Sequence, residues 1–188
     1  MNLPNKLTVS RIILAGMFIL FLFIRGAGAK FAALSIFLVA CITDYYDGYL
    51  ARKMNAITDF GKLMDPIADK VLVLGGFLAF VEMHIIPAWM VMVLIAREFL
   101  ITGLRVLALS QKKVLAAEVA GKHKTISQMV SVIAILIFLI IRDSGFIFRY
   151  VEYYGTAIYI LMLITVGMTI TSGVFYMLNN QHVFTGDK

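Results

Sequence analysis

The sequence predicts an all-α integral membrane protein with six transmembrane helices, a short polar or amphipathic N-terminal segment, and both termini cytoplasmic. Three observations predict it. Hydrophobic residues make up 61% of the 188 residues and charged ones only 15%, against roughly 45–50% apolar in soluble domains. Apolar runs approaching the about 20 residues that a helical span needs recur along the whole chain. Most lysines and arginines cluster on alternate connections between those runs, the bias that marks cytoplasmic loops.

The opening NLPNKLT is polar, and the first span follows it over about residues 8–24. The second covers 30–52, the third 61–81, the fourth 86–109, the fifth 125–141 and the sixth 153–177. Several of these apolar cores fall short of a full span, so the helices carry polar residues into the membrane zone. Lys6, Arg11, Arg52, Lys53, Lys62, Lys112, Lys113, Lys122, Lys124 and Lys188 fall on one side of this layout. Only Arg25, Lys30, Arg142 and Arg149 fall on the other, which places the termini and residues 44–69 on the cytoplasmic side. The link 112–124 is the longest loop-like segment, with room for a short interfacial helix. No repeat or low-complexity tract divides the chain, so one membrane domain, 1–188, accounts for it. The N-terminus lacks the compact basic start and small-residue cleavage site of a signal peptide.

The net charge of +6 and pI near 9.5 imply an acidic partner, either anionic lipid or a phosphorylated substrate. Nucleic acid is not expected, because no binding motif accompanies the charge. The single Cys41 lies in an apolar run, where a small buried side chain is the ordinary reading.

Residues 44–69 depart from this apolar background. They read D-x-x-D-G-x-x-A-R, eight residues, then G-x-x-x-D-x-x-x-D. Carboxylates are expensive where lipid replaces water, so such a cluster marks a functional site by default. Asp44 and Asp47 are three apart, and Asp65 and Asp69 four apart, spacings that put each pair on one helix face. Four carboxylates at one place repel strongly at low dielectric, and bound cations relieve that. An oxygen-only ligand set favours Mg²⁺ or Mn²⁺ over zinc, and four carboxylates suit two ions that clamp a phosphoryl group. Gly48, Ala51 and Gly61 leave clearance for a flat or phosphorylated ligand, and the planar fork of Arg52 suits phosphate oxygens. Taken singly, either glycine reads as helix packing or a helix end. Within this spacing the ligand reading takes precedence. Pro66 either sits near a helix start or kinks the helix, and the sequence leaves both open. Tyr45, Tyr46 and Tyr49 read as interfacial aromatics.

The spacing resembles the signature of the CDP-alcohol phosphotransferases, membrane enzymes of phospholipid synthesis. Asp44, Asp47, Gly48, Ala51, Arg52, Gly61, Asp65 and Asp69 fill every position of it, and the likeness extends to the six-helix layout. The resemblance implies that Asp44, Asp47 and Asp65 bind metal, as part of a two-ion Mg²⁺ or Mn²⁺ centre, and that Asp69 is both ligand and general base. It implies a homodimer in a bacterial plasma membrane, with the active site facing the cytoplasm. The implied reaction is attack by an alcohol on the β-phosphorus of CDP-diacylglycerol, releasing CMP.

The acceptor is read from two other segments. AREFLITGLR carries Arg97, Glu98 and Arg105, and GKHKTISQM carries Lys122 and Lys124. Cations on neighbouring helices make a phosphate-sized positive pocket, which fits a phosphorylated acceptor better than serine or ethanolamine. With the opening NLPNKLTVSR, these segments resemble the family members whose acceptor is sn-glycerol 3-phosphate. On that resemblance Asn5 and Thr8 help hold the CDP moiety, while Arg97, Arg105, Lys122 and Lys124 meet the acceptor phosphate. The bland alternative makes Lys122 and Lys124 membrane-surface lysines drawn to anionic lipid. Arg97 would then pair structurally with a carboxylate, though not with adjacent Glu98, which is expected to face another direction. His123 reads as a solvated loop residue, His84 and His182 carry no signal, and Arg142 and Arg149 lie on the wrong side. Inositol phosphate, phosphatidylglycerol and serine are the rival acceptors. An ion-coupled transporter is the rival class, and it would spread carboxylates through the bilayer depth instead of gathering them at one face.

Overall fold

The computed structural model describes residues 3–54, 59–110, 120–145 and 151–181, with side-chain environments for 10–43, 70–108, 123–145 and 153–181. Among the described residues the chain forms six α-helices: α1 Leu3–Phe23, α2 Ala27–Met54, α3 Asp59–Glu82, α4 Ala88–Ser110, α5 Ala120–Asp143 and α6 Val151–Asn179. Each lies where an apolar run predicts it. The expected polar lead-in is not a separate segment, since α1 already begins at Leu3. Pro4 allows this, because a proline in the first turn gives up only an N–H that has no intrahelical partner. The expected link 112–124 is likewise shorter, with 120–124 forming the start of α5 and 111–119 outside the described residues.

Two connections show how the chain turns. Between α1 and α2, Gly26 adopts φ 103°, and Lys30 Nζ donates to the carbonyls of Leu22 and Ile24. A lysine thus caps the carbonyls that the end of α1 leaves unbonded. After α3, Ile85 N donates to Phe80 O and His84 N to Val81 O, the paired bonds of a Schellman ending. His84 holds the left-handed position at φ 57°, where glycine is the usual occupant.

Helix α1 packs against α2 and α3, α5 against α2, α3 and α6, and α4 against α3 and α6. Buried residues recur at helical spacing, as in Ala15, Phe18 and Leu22 of α1 and Ala33, Phe37 and Ala40 of α2. The Phe18 and Phe37 rings meet with centroids 5.4 Å apart. Close approach of α1 to α3 depends on Gly75 and Gly76. A Cβ on Gly76 would lie 3.0 Å from Phe18 Cε1, and one on Gly75 2.8 Å from Ile19 Cδ1.

The interior changes character along the bundle. Near the α1–α2 turn it is apolar apart from the buried Lys30, with Leu22, Phe80, Leu136 and Leu139 buried. Toward the other end Lys124, Gln128, Ser131, Thr165, Thr169 and Ser172 are buried instead. Outward faces are the reverse, exposing large apolar side chains such as Leu20, Phe31, Met92, Phe99, Ile160 and Phe175. Lipid solvates such a surface, whereas water would not. Among the described residues two helices, His123–Asp143 and Tyr153–Asn179, are long and apolar enough to cross a membrane. Helix α4, at 23 residues, is long enough, but Arg97, Glu98 and Arg105 interrupt its apolar character.

Gly76→Val is expected to cost about 1–3 kcal/mol through overpacking against Phe18. Thermal unfolding in detergent would show it as a lowered midpoint. Gly167→Ala, where an added Cβ meets nothing within 4 Å, should leave the midpoint unchanged or slightly raised.

Candidate active site

The aspartate signature is divided between two helices. Asp44, Asp47, Gly48, Ala51 and Arg52 occupy the last three turns of α2, while Gly61, Asp65 and Asp69 occupy the first three turns of α3. Both helices pack against α1. Pro66 is the eighth residue of α3, so the helix runs through it instead of starting there. Asn5 and Thr8 fall on the first two turns of α1, and Lys122 on the first turn of α5. The side chains of all these residues lie outside the described ones.

Side-chain geometry begins at Lys70, the residue after Asp69. Its ammonium donates to Thr102 Oγ1 at 2.5 Å and lies 4.0 Å from Glu98 Oε2. Glu98 is the centre of the arrangement. Its Oε1 also pairs with Lys124 of α5 and accepts from Arg97 Nη1 at 3.3 Å. One carboxylate on α4 therefore meets cations from α3, α4 and α5. Lys124 is only 5% exposed, so its charge is compensated inside the bundle, as a buried ammonium requires.

Helix α6 completes the group. Arg97 Nη2 donates to Ser172 Oγ at 3.0 Å, and the arginine stem lies against Gly173, where a Cβ would come within 3.2 Å of Arg97 Cγ. One turn on, Arg105 Nε donates to Tyr176 Oη at 3.4 Å, and its guanidinium carbon stands 5.7 Å from that ring's centroid. Two hydrogen bonds between Arg97 and Arg105 of α4 and Ser172 and Tyr176 of α6 fix these helices side by side and parallel. Helix α5 runs antiparallel to α6, with Ser131 and Thr165 sharing a 2.8 Å hydrogen bond. From that pair, seven residues back along α5 and seven forward along α6 bring Lys124 level with Ser172, since seven residues are about two turns.

The structure thus brings Arg97 and Lys124 together and sets Arg105 apart on Tyr176. It also corrects two expectations. Arg97 does bond Glu98, because its long side chain bends back across the helix surface despite the diverging Cα–Cβ directions. Lys124 is not a membrane-surface lysine but a buried one. Arg11, used only to judge sidedness and already inside the first expected span, is 2% exposed. The sequence reading missed Lys70, Thr102, Ser172 and Tyr176 and set Glu98 aside. A signal for the first was present: Glu98, Thr102 and Arg105 lie at i, i+4 and i+7 on one face of α4, and Lys70 directly follows the signature.

Among the residues with described side chains no three of His, Cys, Asp and Glu gather to hold a metal. The donor set that fits one is the four aspartates of α2 and α3. It is oxygen-only, suited to a hard divalent ion, and its last member is adjacent to the cationic cluster.

Likeness to known proteins extends over most of the chain. The profile of the CDP-alcohol phosphatidyltransferase family matches residues 1–171. A protein of Bacillus subtilis (strain 168) is 42% identical over 148 residues, covering 72% of this chain and 77% of its own length. One from Rickettsia bellii is 35% identical over 175 residues, covering 93% of both chains. A third, from Haemophilus influenzae, is 34% identical over 181 residues, covering 94% of this chain and 91% of its own. All three are named CDP-diacylglycerol–glycerol-3-phosphate 3-phosphatidyltransferase. A signature complete at every position, carried on two consecutive helices within a match of this extent, means that the chain belongs to the CDP-alcohol phosphatidyltransferase family.

Proposed function

We propose that this chain transfers the phosphatidyl group of CDP-diacylglycerol to sn-glycerol 3-phosphate, forming phosphatidylglycerophosphate and CMP. The observation that carries the choice of acceptor is the convergence of Lys70, Arg97 and Lys124, from three helices, at the polar end of the bundle. Cations gathered from three helices supply the charge-assisted donors that a phosphorylated acceptor needs. Serine brings no phosphate to such a place. The printed names of the relatives agree with the same acceptor.

In this reading the donor lies along α2 and α3. Asn5, Thr8, Gly48, Ala51, Arg52 and Gly61 hold its CDP portion, with Arg52 bidentate on phosphate oxygens. Asp44, Asp47, Asp65 and Asp69 would hold the divalent ions, Mg²⁺ or Mn²⁺, which supply charge neutralisation at the pyrophosphate when bound. The acceptor phosphate docks near Arg97, Arg105, Lys122 and Lys124, which orients its free hydroxyl toward the donor. Asp69 accepts that hydroxyl's proton as the oxygen bonds to the β-phosphorus. The bond from that phosphorus to the bridging oxygen breaks, and CMP leaves with the electron pair. Positioning and charge neutralisation supply most of the acceleration, as in phosphoryl transfer generally. Lys70 links the two halves, because it follows the base in sequence and reaches Glu98 of the cationic cluster.

The same reading makes all six helices membrane spans of a single domain in a bacterial plasma membrane. Both termini and the site face the cytoplasm, where a water-soluble phosphorylated acceptor is available. The polar end of the interior supports this, since it lies where α2 ends and α3 begins. A homodimer completes the assignment, by family resemblance alone.

The decisive experiment supplies purified protein with CDP-diacylglycerol, Mg²⁺ and one acceptor at a time. CMP release with glycerol 3-phosphate is expected. Release only with inositol phosphate, phosphatidylglycerol or serine would overturn the assignment. Chelation with EDTA should abolish CMP release, and added Mg²⁺ or Mn²⁺ should restore it. Asp69→Asn is expected to lower turnover by about 10²–10⁴-fold while nucleotide binding, followed by calorimetry with CMP, changes little. Near-wild-type turnover of that variant would remove Asp69 as the base. Arg105→Ala should raise the KM for glycerol 3-phosphate more than that for the lipid, and equal losses would mark a structural role instead.

A further inference from the structure

We infer that Gln128 recognises the acceptor's spare hydroxyl: its buried side-chain amide holds the secondary hydroxyl of a polyol phosphate and leaves the primary one to attack. The inference rests on the reading above that the acceptor is a phosphorylated polyol. It gives a role to a residue that the aspartate signature and the cationic cluster both leave out.

Gln128 lies on the buried stripe of α5. Lys124, Gln128 and Ser131 follow one another at i, i+4 and i+7, and none is more than 5% exposed. A glutamine is rarely buried this far unless its amide is bonded. Here Nε2 is fully enclosed and has no hydrogen-bond partner among the described residues. Nearby hydroxyls are committed elsewhere, Ser131 with Thr165 and Thr169 to the Thr165 carbonyl. Burying an unmet donor is costly, and an apolar side chain of the same shape would avoid that cost. A ligand that supplies the missing bond accounts for the amide.

Register places this amide between the two halves of the site. Helices α2 and α5 pack against each other and run in opposite directions, and Lys30 of α2 lines one cavity with Arg142 and Asp143 of α5. Fifteen residues back from Asp143 along α5 is Gln128, and fifteen forward from Lys30 along α2 is Tyr45, each a rise of about 22 Å. Gln128 is therefore level with the part of α2 that carries Asp44 and Asp47. Lys124, one turn away on the same face, stands about 5–6 Å off at Cβ. That separation is comparable to the distance between the phosphate and the hydroxyls of a three-carbon polyol phosphate. A neutral amide also suits a hydroxyl better than a phosphate. With Nε2 inward it donates and with Oε1 inward it accepts; a hydroxyl satisfies either end, whereas a phosphate oxygen satisfies only the first. Glycerol 3-phosphate has two free hydroxyls, and holding one aims the other.

The test uses the full-length protein in lipid nanodiscs and two acceptors, sn-glycerol 3-phosphate and propane-1,3-diol monophosphate, which lacks only the secondary hydroxyl. Wild type should prefer the first by about tenfold or more in kcat/KM, because a site that bonds a hydroxyl rejects the analogue without it. Gln128→Met keeps the length of the side chain and removes its amide. The preference should then fall to within about twofold, with the KM for CDP-diacylglycerol also within about twofold of wild type. The thermal midpoint of this variant should be unchanged or raised, since an unmet donor has been removed. A water held by the amide predicts a preference that Gln128→Met leaves unchanged, and a bond to the donor lipid predicts a raised lipid KM instead. Either result overturns the proposal, as does a wild type that treats the two acceptors alike. If Gln128→Met does not fold, Gln128→Asn, which withdraws the amide by one methylene, decides alone: a reduced preference supports the role, and an unchanged one overturns it. Wild-type protein that releases CMP only with inositol phosphate, phosphatidylglycerol or serine overturns the underlying reading first, and this is seen before any variant is made.

Discussion

Glu98 and the three cations around it are the constraint on which the polar half of the bundle depends. A carboxylate held by Lys70, Arg97 and Lys124 ties α3, α4 and α5 at one level, and Arg97 extends the tie to Ser172 of α6. Ions in an apolar interior are costly unless each has a partner and further hydrogen bonds. The neighbouring hydroxyls follow from that requirement. Ser131 bonds Thr165, Thr169 returns its hydroxyl to the Thr165 carbonyl, and Tyr176 receives Arg105. The far end of the bundle is filled mainly by Phe, Leu and Ile, and its one buried cation among the described residues, Lys30, is met by the carbonyls of Leu22 and Ile24.

This arrangement inverts the logic of a soluble domain. Its outward faces are apolar and its interior is polar at one end. The hydrophobic effect does not hold helices together where lipid is the solvent, so packing and interhelical polar contacts take over. Both are visible here. Gly75 and Gly76 bring α1 close to α3, and Gly173 accommodates the stem of Arg97 against α6. Small residues thus serve two purposes, one for helix contact and one for placing a charged side chain.

Family membership and cluster geometry contribute different parts of the functional reading. The signature on α2 and α3 specifies the donor, because it is shared by enzymes that transfer from CDP-linked lipids. Outside that signature, charge converges from α3, α4 and α5. Lys70 is where the two meet, one residue past the last aspartate and within reach of Glu98.

The sequence by itself determined the six helices, since each apolar run of sufficient length has no alternative to helical hydrogen bonding in lipid. It also determined the aspartate signature, whose i, i+3 and i, i+4 spacings act within single helices and need no tertiary information. It misjudged the pairing of Arg97 with Glu98, left the burial of Lys124 open, and left Lys70 unread and Glu98 without a role. Adjacent residues diverge at Cβ, and only a long side chain's actual path decides whether Arg97 returns to Glu98. Whether Lys124 faces lipid headgroups or the interior depends on the rotation of α5, which two flanking lysines and a histidine do not specify. Lys70 and Glu98 are separated by 28 positions, so only the packing of α3 against α4 could join them. What the tertiary structure decided, then, is the convergence of charges from separate helices, because that depends on helix rotation and register and not on any local pattern.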